Sequence, residues 1–347
     1  MKAKQHLPPN QWSTGFQVLS LFLLLIGAIL ISTTMGYIKA PVKDVAAVIL
    51  SNILGNQATN EVLSAVVLDV RLPRILSAAV VGCGLAVSGV IFQGILLNPL
   101  ADPYTLGVSA GAAFGASVAI ILNIGFLGVY SIPLFAFAGA ICTLVFVLYL
   151  SRTGQGFSSG NLILSGIIVG AILSAGISFL KYVADEQVSV IIFWLMGSFA
   201  SKTWTDVMMT TVFVGSGLVV FIYFSRDLNL LALGSRTAGS MGVNTKSVPL
   251  ILLVTASFVA AACVSVSGII GFVGLLVPHM MRSFTGPDNR KLIPVSALAG
   301  GILLLSADTT TRAILPHEIP IGVLTALIGG PFFCYIFRKR QTSGRGF

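Results

Sequence analysis

Charge is scarce in this chain, so each charged group stands out. Of 347 residues, only 9% are Asp, Glu, Lys or Arg. Two arginines flank a proline in Arg71-Leu72-Pro73-Arg74, and Asp308 precedes Arg312 by four residues, a spacing that lets them pair on one helix face. Gly107-x-Ser109-x-Gly111 has the form of a hydrolase nucleophile turn, for which His279 or His317 could supply a base. The pattern lies inside an apolar run, however, with no strand before it and no oxyanion loop, and three residues match cheaply. His279 directly follows Pro278 and stands alone, as a packing histidine does and a metal ligand does not. Cys83, Cys142, Cys263 and Cys334 all fall in apolar runs, at spacings that suit neither a metal site nor a disulfide framework. The chain contains no Gly-x-x-x-x-Gly-Lys-Ser/Thr and no Gly-Lys dipeptide, so it cannot cradle ATP phosphates by that loop.

The elements that must hold these groups are membrane helices. Hydrophobic residues make up 56% of the chain and mean hydropathy is +0.97, beyond a soluble fold. In lipid, backbone polar groups must be satisfied within helices or a closed barrel. The apolar runs are continuous and near 20 residues long, without strand alternation, which selects helices. Ten spans are expected, at 16–36, 72–92, 105–123, 131–150, 161–181, 206–225, 248–268, 271–285, 292–312 and 320–337. The run 188–200 is too short to cross and reads as a half-helix at one face. Lys2 and Lys4 precede an apolar run that is long and lacks a clean cleavage site, so the first span reads as uncleaved.

With the N-terminus placed inside, 13 of the 20 Lys and Arg residues fall on inner segments, and only Asp102, Asp227 and Asp288 of the 11 acids join them. That bias puts both termini in the cytoplasm. It also explains the net charge of +9 as topology rather than nucleic-acid affinity. The chain reads as one membrane domain over 1–347. Glycines at 107, 111 and 115, at 166 and 170, and at 268, 271 and 274 recur at three- or four-residue spacing, which lets helices approach closely. An ion-coupled transporter would need ionisable groups near mid-membrane. Asp206 and Asp308 instead fall near the outer ends of their spans.

The longest motif runs from Arg71 to Gly111. It holds Arg71-Leu72-Pro73-Arg74, Gly82-Cys83-Gly84-Leu85-Ala86-Val87-Ser88-Gly89, Phe92-Gln93, Asn98-Pro99-Leu100-Ala101-Asp102-Pro103 and Leu106-Gly107-Val108-Ser109-Ala110-Gly111. Pro73 stiffens the start of the second span and would hold the two arginines on the outer surface. Pro99 and Pro103 break the helix into a polar elbow between the second and third spans. This block resembles the permease subunits of ABC importers for iron chelates, haem and vitamin B12, the FecCD-type family. Gly271-Phe272-Val273-Gly274-Leu275-Leu276-Val277-Pro278-His279, Ala307-Asp308 with Arg312, and Glu318-Ile319-Pro320-Ile321-Gly322-Val323-Leu324-Thr325 are similar to its last three spans. The resemblance covers nearly the whole chain.

The resemblance implies an all-α polytopic fold of about ten spans, in the cell (inner) membrane of a bacterium or archaeon. It implies a homodimer that forms the pathway, two copies of a separate cytoplasmic ATPase that bring ATP and Mg, and a substrate-binding protein outside. No cofactor is expected in this chain, and no bond of the cargo is broken. Arg71, Arg74 and Arg312 match positions that dock glutamates of the binding protein; interface anchoring is the plainer alternative. Asn98 and Leu100 match a cytoplasmic gate, although Asn98 could equally cap the third span. The loop 226–247 carries Gly234, Arg236, Ala238, Met241 and Gly242, similar to the Gly-x-x-x-Ala-x-x-x-Gly coupling segment whose short helices rest on the ATPase. The default cargo is an iron-siderophore-type chelate, with cobalamin, haem or molybdate as the same class's other cargoes.

Overall fold

The computed structural model describes residues 14–36, 41–54, 60–153, 156–313 and 318–342. Lys2, Lys4 and His317 lie outside these residues. Apart from a two-residue antiparallel ladder, β1 (Arg152–Thr153) with β2 (Gly156–Phe157), the regular structure among the described residues is helical. In chain order the helices are α1 (Thr14–Thr34), α2 (Val42–Ile53), α3 (Glu61–Ala65), α4 (Leu72–Leu96), α5 (Val108–Ile121), α6 (Ser131–Ser151), α7 (Ser159–Val183), α8 (Val188–Leu195), α9 (Trp204–Tyr223), α10 (Ser225–Leu231), α11 (Ser235–Ser240), α12 (Ser247–Ser267), α13 (Val273–Thr285), α14 (Asn289–Ala313) and α15 (Ile321–Thr342).

Seven helical stretches among the described residues are long and apolar enough to cross a membrane. The other three expected spans are helices as well. Two of them, α5 with 14 residues and α13 with 13, rise only about 20 Å and cannot cross a hydrocarbon core of about 30 Å alone. Irregular backbone makes up the difference, and it is tolerated in a membrane only when protein covers it. Pro103–Leu106 forms a 3₁₀ turn before α5, and Gly268–Phe272 links α12 to α13. The two segments meet where the Tyr104 hydroxyl donates to the Ile270 carbonyl.

The second span departs from expectation. A turn of π-helix, Val66–Arg71, joins α3 to α4, so Glu61–Leu96 is one helix of 36 residues. Its N-terminal turns pack with α2, which the hydropathy runs did not mark. Val45 and Val48 of α2 bury against Val67 in a small satellite core. The main core surrounds α4, where every residue from Gly84 to Gln93 is buried.

Glycine allows the closest crossings. A Cβ on Gly89 would collide with the Gly274 carbonyl of α13, and one on Gly82 with the Gly300 carbonyl of α14. The expected glycine face on α5 behaves likewise: Gly111 and Gly115 meet the backbone of α6 at Gly139 and Phe135. Without a hydrophobic drive between helices in lipid, such backbone approach supplies the dispersion contact that holds the bundle.

Candidate functional site

At the N-terminal end of α4, the arginines face into the bundle, not away from it as the stiffening by Pro73 suggests. Arg71 is 5% exposed, and its guanidinium donates to the Thr33 carbonyl at 2.8 Å. Arg312 is 7% exposed; it donates to the carbonyls of Met35 and Ser32, each at 2.7 Å, and to the Ser32 hydroxyl. The physical reason is the C-terminal end of α1. Its last carbonyls have no helical partner and carry the negative end of the helix dipole, so they attract cations. Arg74 forks onto Asp308, with NH2 to Oδ1 at 2.9 Å and Nε to Oδ1 at 3.1 Å. Its remaining arm reaches Glu318 Oε1 at 3.1 Å. Asp308, 2% exposed at its side chain, also faces Arg312 Nε at 3.4 Å, the expected local pair.

One buried carboxylate thus sits between two guanidinium groups, and the cluster stitches α1, α4 and α14 together. Glu318, 51% exposed, is its open edge. Beside it lies a cavity of about 200 Å³ lined by Arg74, Asp308, Thr311, Glu318, Phe193 and Phe199.

The opposite end of α4 holds the elbow. Leu97 ends the helix in the left-handed region at φ 50°, a conformation usually left to glycine. The Asn98 side chain accepts from the Leu100 amide at 2.9 Å and shapes the turn. The cap of the 3₁₀ turn before α5 is Asp102 rather than Asn98. It accepts from the Tyr104 and Thr105 amides in a capping box with Thr105. Leu100 is partly exposed, while Ala101 and Leu106 are fully buried, so the elbow folds back into the bundle instead of standing free.

Pro278 lies inside α13 and cannot donate to the carbonyl of Gly274. Gln93 of α4 supplies the missing donor: its Nε2 lies 3.4 Å from the Gly274 carbonyl and 3.3 Å from that of Leu275. Arg282 in turn donates to Gln93 Oε1 at 3.0 Å. The broken helix is therefore repaired from the neighbouring span. The sequence motif contained Gln93 but nothing there announced this role.

The loop 226–247 forms two short helices, as expected. Gly234 at φ 98° and Gly242 at φ 89° make the turns on either side of α11, geometry an L side chain resists. Ala238 is fully buried against the chain's own core, so its small size serves packing within this chain. Leu233 and Met241 are exposed, at 62% and 60%, and Arg236 is exposed beside them. A link that sequence reasoning missed ties this segment to α14. Asn229 of α10 donates to Asp288 Oδ1 at 2.7 Å, and the amide and side chain of Asn289 both donate to Asn229 Oδ1, at 2.9 and 2.8 Å. Partial burial alone would raise the Asp288 carboxyl. Hydrogen bonds from Asn229 and from the Arg290 side chain and backbone outweigh it and hold the group below the usual carboxylate range. The hydrolase-like Gly107-x-Ser109-x-Gly111 opens α5, with its glycines packed on α6 and α7 and Ser109 buried.

This arrangement is that of a multi-pass membrane permease: helices around a dense glycine-packed core, with a proline-broken elbow and a paired-helix segment at one end. The chain belongs to the FecCD transport family, whose model matches residues 23–339. It is a permease subunit of an ABC importer of that family. It is similar to the hemin transport system permease protein HmuU of Yersinia pestis, at 37% identity over 96% of this chain and 97% of the relative. It is also similar to the cobalamin import system permease protein BtuC of Halobacterium salinarum, at 43% identity over 81% of this chain and 75% of the relative. Among solved structures, a metal-chelate type ABC transporter in an inward-facing conformation matches 94% of this chain and 99% of its own, with TM-score 0.83 and 34% identity.

Proposed function

We propose that two copies of this chain form the pathway of an importer for an iron-siderophore-type metal chelate. The observation that carries this reading is the likeness over nearly the full length to a metal-chelate type transporter. Two separate ATPase subunits would engage the exposed face of α10 and α11 around Arg236 and Met241, with Gly234 and Gly242 setting its turns. Asn229, through Asp288 and Asn289, would pass their movement to α14. Asn98 and Leu100 at the elbow would close the cytoplasmic mouth. The Lys and Arg bias supports this end, and both termini, being cytoplasmic. The second copy would cover exposed apolar residues of α7 and α15, among them Ile168, Ile172, Leu327 and Ile328.

A binding protein would dock at the outer cluster. Arg74, with Glu318 at the rim, offers the reachable guanidinium; Arg71 and Arg312 would support it from beneath. An incoming carboxylate would replace Glu318 on Arg74, fixing register more than adding affinity.

Competition uptake in vesicles carrying the full complex tests the cargo. Haem, a ferric siderophore, cobalamin and molybdate are offered with ATP. The proposal expects the siderophore to move and the others to compete weakly. Uptake of cobalamin, haem or molybdate in its place would reassign the cargo, and movement of none would overturn the importer reading.

A further inference from the structure

The second large cavity lies at the other end of the bundle, between the elbow and the coupling segment, and shares Leu97 and Gly234 with them. It measures about 690 Å³ and opens among the ends of α4 and α6 and the starts of α7, α11 and α12. Its lining contains two cations, Arg152 and Lys246, and no Asp or Glu. Both cations are exposed, and neither makes an ion pair among the described residues. Hydroxyls of Ser159, Ser235, Thr245 and Ser247 share the polar side. The two long helices that begin here, α7 and α12, direct the positive ends of their dipoles toward the same rim. α4 and α6 end at the same rim and offset those dipoles, so the two cations, with no acid in the lining, make the mouth favour an anion.

The rest of the wall is apolar and runs inward. Leu148 lies one turn before the end of α6, Leu162 one turn into α7, and Leu253 six residues, about 9 Å, into α12. Outside the cavity, exposed apolar residues stand one turn deeper than each cation: Tyr149 and Leu150 beside Arg152, and Ile251 beyond Lys246. The cations are thus at the level where a span leaves the hydrocarbon, with a greasy wall beneath them. A free phosphate would use only the rim.

We propose that this cavity binds an anionic phospholipid, its phosphate held by Arg152 and Lys246 and an acyl chain lying along Leu148, Leu162 and Leu253. Basic pockets between spans at this level suit such headgroups. Because Leu97 and Gly234 both line the cavity, the lipid bridges the helix that carries the elbow and the segment that meets the ATPase. The site itself does not depend on which cargo is carried.

The test is native mass spectrometry of the full-length chain, with phosphatidylglycerol and phosphatidylcholine of matched acyl chains. Wild type is expected to prefer phosphatidylglycerol by about 30-fold, at roughly fivefold per cation. The double variant Arg152→Gln/Lys246→Gln should lose that preference and keep its thermal unfolding temperature, since neither side chain is buried. Arg290→Gln, an exposed cation elsewhere at this end, should leave the preference unchanged. Equal retention of both lipids, or an undiminished preference in the double variant, overturns the proposal. Competition by inorganic phosphate at the lipid's own potency makes the cavity a free-anion site and overturns it too. Loss of the lipid when the ATPase is added assigns the cavity to the ATPase, with the same consequence.

Discussion

The two ends of α4 treat positive charge in opposite ways. At its N-terminal end, Arg71, Arg74 and Arg312 are spent internally on the carbonyls of α1, on Asp308 and on Glu318. At the other end, Arg152 and Lys246 are exposed around a cavity with no acid in its lining. Buried cations must find partners within the protein because the cost of leaving them bare is several kcal/mol each. Exposed cations are solvated and can wait for a ligand. The Arg71 end of α4 is therefore built chiefly to hold helices together, with Glu318 its one exposed edge, while the opposite end leaves its cations open to a ligand.

The sharpest way to break this contrast is at Asp308. Asp308→Ala leaves Arg74 and Arg312 without their shared counterion and is expected to cost about 3–5 kcal/mol. Thermal unfolding in detergent measures it, and a loss under about 1 kcal/mol would show that the cluster is not structural. Next comes Gln93→Leu, which strands the Gly274 carbonyl that Pro278 cannot serve; the expected cost is about 1–3 kcal/mol. Asn229→Leu should matter more for function than for folding. With its three hydrogen bonds gone, uptake per ATP hydrolysed in the assembled transporter should fall at least about fivefold, while ATP hydrolysis continues. An unchanged ratio would remove Asn229 from the coupling path. Glu318→Gln, at the exposed rim, should shift stability by only about 0–1 kcal/mol.

The smallest effect is a pH dependence. Asp288 has a folded-state pKa below its unfolded value, so its contribution is present above roughly pH 4 and fades as pH falls through the folded value. Acid unfolding of Asp288→Asn should lack that component and otherwise match wild type. Extra stability lost above about pH 5 instead would contradict the assignment.

Hydropathy exposed the spans because lipid imposes the same length and composition on each. Glu61–Arg71 escaped because Glu61, Asp69 and Arg71 interrupt an otherwise apolar stretch and read as the boundary of a span. The amphipathic α2 escaped because 12 residues are too few to register as a span. Proline and glycine correctly marked the elbow and the turns around α11, since their backbone limits are local. The destinations of Arg71 and Arg312 were not local. They depend on which carbonyls the end of α1 leaves open, 38 and 277–280 residues away along the chain. Gln93 and Asn229 were opaque for a similar reason: an amide at either position has meaning only beside a proline-broken helix or a neighbouring turn. The proposed docking, gate and coupling residues came through resemblance, and geometry adds that Ala238 faces inward while Leu233, Arg236 and Met241 face out.

The most direct measurement is cargo uptake and ATP hydrolysis in vesicles carrying this chain, with its binding protein supplied and with and without its ATPase. The account predicts that the chain alone neither hydrolyses ATP nor accumulates cargo, and that both activities appear only when the ATPase is added. Hydrolysis by the purified chain, or uptake driven by a proton gradient without any companion subunit, would contradict it.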